Sequence, residues 1–125
     1  MKRLIIFMGL LSFMGLGFTG CYKDIISPDS DPDGPPQAVS FKTDLVPIFE
    51  SKCALSGCHV SGAHHPYLTT DVSYHELNNG FFVNTLIPKS SELYVQVYGG
   101  MSDKIPSPTD KQKIYDWIRN GAPNN

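Results

Sequence analysis

The chain has 125 residues, with ten lysines and arginines against twelve aspartates and glutamates, and 41% of it is apolar. A net charge of −2 with the histidines neutral offers no basic footprint for phosphates and argues against nucleic acid as a partner. This length leaves room for one small domain, of a size that often relies on a disulfide, a metal or a cofactor to complete its core.

Lys2 and Arg3 precede an apolar run from Leu4 to Phe18, which closes on small residues before Cys21. The run is shorter than the roughly 20 residues a bilayer-spanning helix needs, and its flanks are those of an export signal. Phe18-Thr19-Gly20-Cys21 resembles a bacterial lipobox, which implies cleavage before Cys21 and lipid attachment at its thiol. The expected organisation is a lipoprotein signal peptide over 1–20, a lipidated Cys21 with a Pro/Asp-rich linker over 21–40, and one domain over 41–125. The alternative at Cys21 is an ordinary secreted chain with an odd thiol. Without Lys2 and Arg3 the exported chain would carry eight basic residues against twelve acidic, a net of −4, a surface suited to a positively charged redox or receptor partner. Pro28, Pro32, Pro35 and Pro36 favour extended backbone, so the linker is expected as a disordered, semi-stiff tether.

In the domain, Phe41, Leu45, Ile48 and Phe49 recur at helical spacing. Thr43 is read as the N-cap, Pro47 lies in the first turn, and the helix ends near Cys53. Gly57, Gly62 and Pro66 interrupt regular structure until a short helical turn over 72–77, before Asn78-Asn79-Gly80. Ser90 is expected to cap a helix over 91–98 whose Leu93, Tyr94, Val97 and Tyr98 form an apolar stripe ended by Gly99-Gly100. Thr109-Asp110-Lys111-Gln112 fits a capping box after Pro108; Ile114, Trp117 and Ile118 line one face, and Gly121 supplies the stop. Phe81-Phe82-Val83 is too short and isolated for a strand pair and is expected as no more than an extended loop packing inward, so the fold class is all-α.

Cys53-Ala54-Leu55-Ser56-Gly57-Cys58-His59 carries the chemistry. Haem c needs two thiols for thioether bonds to the vinyl groups, an imidazole on the iron, and usually a second ligand from a distant loop. Cys53 and Cys58 would bind the vinyls and His59 the iron. Met101, after Gly99-Gly100, would take the opposite axial position, where a soft thioether favours ferrous iron. The usual motif has two residues between its cysteines; this one has four. Two other readings use the same residues: a Cys53–Cys58 disulfide, or a zinc site completed by His64, His65 or His75. No nucleophile elbow, paired carboxylates or phosphate-cradling loop accompanies them, so an electron-transfer protein is expected and not an enzyme.

Beyond the single motif, the chain resembles the small monohaem c-type cytochrome domains of bacterial lipoproteins. The resemblance rests on Phe41 to Phe49, on Cys53 to His59, on Ser91-Glu92-Leu93-Tyr94 and on Trp117-Ile118-Arg119-Asn120-Gly121-Ala122. It implies a cytochrome c-like helical domain around one covalently bound haem c, with Cys53, Cys58, His59 and Met101 holding the group. The four-residue spacing is similar to a variant of that family in which the extra residues form a bulged turn. Where the family commonly has Met-Pro before its last helix, this chain reads Lys104-Ile105-Pro106; His64, His65 or His75, or an open site, are then alternatives to Met101. The implied function is single-electron transfer with redox partners at the membrane. The protein would be an exported lipoprotein facing the periplasm or cell surface of a Gram-negative-type bacterium. The alternatives are a haem-based ligand-binding or sensing module with an open sixth site, and a disulfide-stapled structural lipoprotein without haem.

Overall fold

In the computed structural model, which describes residues 31–125, the first helical segment is shaped by Pro47. Proline has no N–H, and its ring crowds the carbonyl four residues back. The chain meets this by opening with a five-residue π-turn, Phe41–Leu45, before the α-helix Val46–Lys52 (α1). Three more α-helices follow: Ser73–Asn79 (α2), Glu92–Tyr98 (α3) and Pro108–Arg119 (α4), with a 3-10 turn over Pro88–Ser90 before α3. The described residues contain no strand, so the domain is all-helical as expected. In the loop over 81–83, Phe82 and Val83 pack against the core as expected, but Phe81, at φ 61°, turns outward and is 90% exposed. The export signal expected over 1–20, Cys21 and the linker up to residue 30 lie outside the described residues.

The core forms where α4 meets the first segment. Trp117, Ile114 and Ile118 are fully buried beside Phe41, Leu45, Phe49 and Leu77. The Phe41 ring lies 5.1 Å from that of Trp117 and 5.2 Å, edge-on, from that of Tyr74. Trp117 satisfies its indole N–H on the Pro123 carbonyl at 2.9 Å, as a buried donor must. Asn125 serves the start of the first segment. Its side-chain oxygen accepts from Phe41 N–H at 2.8 Å and its carbonyl from Lys42 N–H at 2.9 Å, two helix-start donors with no partner of their own.

Three caps differ from the sequence reading by one to three residues. Ser40, not Thr43, caps the first segment: its Oγ accepts from Thr43 N–H at 3.2 Å, while Ser40 N–H donates to the Asp44 carboxylate at 2.9 Å. Ser91 rather than Ser90 stands at the N-cap of α3. Ser107 caps α4 by accepting from Asp110 N–H at 3.2 Å, which puts Pro108 inside the first turn. The expected capping box does not form because Gln112 turns inward, donating to Asp116 and to the Pro32 carbonyl at 3.0 Å each.

That second contact bears on the linker, whose described part is not a free tether. Arg119 donates to the carbonyls of Pro32, Asp33 and Gly34, and Asn120 donates to Gln37 O at 2.6 Å. Gln37 gives both its backbone N–H and its side-chain amide to Asp116, each at 3.2 Å, and Val39 is buried in the core. Asp116 is itself 1% exposed and lies 3.1 Å from the Arg119 guanidinium. A buried carboxylate needs such partners, and the linker supplies part of them.

Candidate functional site

At its C-terminal end α1 runs straight into the cysteine loop. Cys53 N–H and Ala54 N–H both bond the Phe49 carbonyl at 2.8 Å. The chain then turns over Leu55–Cys58, closed by Cys58 N–H on Leu55 O at 2.9 Å, with Gly57 at φ 77°. A positive φ at the third position of a turn favours glycine. The two residues in excess of the usual spacing are taken up in this turn, because His59 N–H still comes back to the Cys53 carbonyl at 3.0 Å. His64 N–H on Cys58 O at 3.0 Å and Leu68 N–H on His59 O at 2.7 Å hold the outgoing strand of the loop, and buried Leu68 anchors it.

His59 sits half-buried inside this frame, with Nδ1 facing two carbonyls, Pro66 O at 2.9 Å and His64 O at 3.2 Å. Carbonyl oxygens only accept, so Nδ1 carries the hydrogen and a neutral ring keeps its lone pair on Nε2. A metal-ligating histidine is commonly oriented in this way. The sequence singles out His59 but not Pro66, since a main-chain acceptor leaves no mark in the residue pattern.

The two thiols differ. Both cysteines are free; Cys53 is half-buried and Cys58 exposed. Burial, and then the neighbouring Cys58, push the Cys53 thiol up to about 11. At neutral pH its sulfur therefore stays uncharged, which suits a thioether or a disulfide and disfavours a thiolate metal ligand. Among the described residues no group of three or more His, Cys, Asp or Glu is placed to hold a metal ion, so the zinc reading lacks its ligand set.

Met101 lies on the turn that ends α3. Its N–H bonds Gln96 O at 2.8 Å, its carbonyl accepts from Lys104 N–H at 3.0 Å, and its side chain is 41% exposed. Gly99 is required there, because a Cβ would stand 2.6 Å from Val95 O. The Lys104 ammonium is held above its usual value chiefly by its hydrogen bond to Asp103, and the field of Cys58 adds to this. No family model, curated protein or solved structure matches the chain.

Of the alternative distal ligands, His65 is engaged by Glu76 at 2.6 Å and lies over the Tyr67 ring, His75 faces Asn79 at 3.2 Å, and His64 is exposed on the loop. A cavity of about 310 Å³ beside the first segment, lined by Phe41, Lys42, Tyr74 and His75 among others, includes none of Cys53, Cys58, His59 and Met101. Among the described residues no helix is long and apolar enough to cross a membrane.

Proposed function

We infer that the domain is a cytochrome c-like electron carrier that binds one haem c covalently and passes single electrons outside the cytoplasm, as part of a membrane-anchored lipoprotein. The observation that carries this reading is the orientation of His59: Nδ1 is committed to Pro66 O, and Nε2 is free on the loop that also holds Cys53 and Cys58. The donor set fits the group. The uncharged Cys53 sulfur suits a thioether bond to one vinyl and the exposed Cys58 thiol is open to the other, one oriented imidazole suits the proximal position, and Met101, on the turn after α3, is the candidate for the distal one. Haem bound there would supply ferric–ferrous cycling; the chain contributes ligands, their orientation and the burial that sets the potential.

The exposure of Met101 favours a second reading, a ligand-binding or sensing module in which the sixth position is open. Two measurements decide. Reduced protein made with the haem-attachment machinery should show a sharp α-band, and its denatured chain should retain a haem-sized mass on Cys53 and Cys58. Neither would be seen in a disulfide-stapled structural lipoprotein. Rapid carbon monoxide binding to the ferrous form would select the open site. Slow or absent binding that becomes rapid in Met101→Ala would select Met101 as the ligand.

A further inference from the structure

Where the chain from the expected anchor reaches the domain, it is fastened to a lysine that follows an exposed apolar pair. Asp33 is held by Tyr115 Oη at 2.9 Å and by Lys89 Nζ at 2.7 Å, and Pro32 O accepts from Gln112 and Arg119. Lys89 belongs to the 3-10 turn Pro88–Ser90, directly after Leu86 and Ile87, which are 92% and 61% exposed. These two are not on a loose tip. The Asn84 side chain accepts from both their N–H groups at 3.0 Å and donates to Ser90 Oγ at 3.1 Å, while Asn84 N–H donates to Ser91 Oγ at 2.8 Å. The backbone presents two large aliphatic side chains outward on a fixed support.

We propose that Leu86 and Ile87 seat in the lipid surface that carries the acyl chains of Cys21, so that the domain stands on the membrane by one chosen face. The inference rests on the reading of Cys21 as lipidated. A bilayer surface is the occupant because of where the outlying chain arrives. Ten residues separate Cys21 from Asp31, which span at most about 36 Å fully stretched. The point of arrival, fastened to Lys89, is thus kept within that reach of lipid, and Leu86 and Ile87 stand three and two residues before Lys89 in the chain. A weak second contact suffices when a covalent anchor has already brought it to the surface, as with other two-signal membrane attachments.

The test uses the full mature chain, methyl-labelled at Leu and Ile, in nanodiscs of phosphatidylethanolamine and phosphatidylglycerol doped with a doxyl-chain lipid. The Leu86 and Ile87 methyl signals should lose at least about half their intensity, while Leu55, exposed on the cysteine loop, and buried Leu45 keep theirs. Leu86→Ser/Ile87→Ser, a change at exposed positions that leaves the core intact, should abolish any preferred face without detaching the protein. Equal attenuation of Leu55, Leu86 and Ile87, or none, in a chain shown by mass to be acylated overturns the proposal alone. An unacylated mature chain overturns it together with the anchor reading. Broadening of Leu86 and Ile87 that grows with concentration in lipid-free Cys21→Ser protein would assign the pair to a second copy instead.

Discussion

The packing of α4 and the cysteine loop show two ways of holding side chains in place. In α4, Ile114, Trp117 and Ile118 are sealed among Phe41, Leu45, Phe49 and Leu77, and the two polar residues on the buried side, Gln112 and Asp116, are hydrogen-bonded. In the cysteine loop Cys58 is exposed, Cys53 and His59 are half-buried, and their placement comes from main-chain hydrogen bonds and the φ of Gly57. Stability is concentrated in the first region and candidate chemistry in the second. Substitutions should therefore separate the two, with the largest losses of stability in α4 and small ones in the loop.

Trp117→Ala should have the largest effect. It empties a site with no solvent exposure and strands the Pro123 carbonyl. Large-to-small changes of an aromatic in a core cost about 3–5 kcal/mol, much of what holds a small domain together. A denaturant midpoint close to that of the parent would break the contrast. Next comes Asp116→Ala, which leaves donors of Gln37, Gln112 and Arg119 facing a buried gap. Because the Arg119 side chain keeps 18% exposure, a loss of about 2–3 kcal/mol is expected, toward the lower end for breaking such a group. It should also expose residues 31–39 to protease before the rest of the chain, and a cleavage pattern unchanged from the parent would count against the clasp.

These two residues also mark how much was legible in the sequence. Trp117 was placed on the buried face by period alone, and the all-helical class and helix positions followed from similar spacing. Asp116 was not singled out, because its partners, Gln37 and the carbonyls around Pro32, come from a segment whose prolines and aspartates read as a solvated spacer. Composition records how little apolar surface a segment can bury; it is silent on carbonyls offered to an arginine. The caps differ for a related reason: several Ser and Thr residues near each helix start compete, Ser40 gains a bond from its hydroxyl to the distant Asn125 carbonyl, and Gln112, the far end of the expected capping box, is drawn to the Pro32 carbonyl. At the site, Cys53, Cys58 and His59 were plain from residue type. Pro66, which orients His59 through a main-chain oxygen, was not.

Gly57→Ala probes the loop side of the contrast. No atom lies within 4 Å of the position a Cβ would take, and φ is +77°, so the cost is conformational alone. A left-handed residue other than glycine carries a penalty of about 1–2 kcal/mol, and local opening of the loop can absorb part of it. The global unfolding midpoint should move less than in Asp116→Ala, while, on the haem reading proposed above, the yield of covalent attachment should fall. If attachment yield holds and the midpoint drops as far as in Asp116→Ala, the loop is part of the cooperative core and the division between the two regions fails.

The smallest effect expected is on the clasp's dependence on pH. The Asp33 carboxyl is held below its ordinary value of 3.8, first by the Lys89 ammonium and then by the Tyr115 hydroxyl, both hydrogen-bonded to it. A carboxyl depressed in the folded state stabilises above its unfolded value and stops doing so as pH falls through the folded one. The attachment of residues 31–34 should then be unchanged from neutral pH down to the ordinary carboxylate range and loosen only below it. Exchange of the Arg119 guanidinium protons, which donate to the carbonyls of Pro32, Asp33 and Gly34, reports that opening directly. In Asp33→Asn the same contacts should exchange faster at neutral pH and lose their acid-dependent step, because the amide can accept from Tyr115 but forms no ion pair with Lys89. An acid step that persists in Asp33→Asn would place the titrating group elsewhere in the clasp.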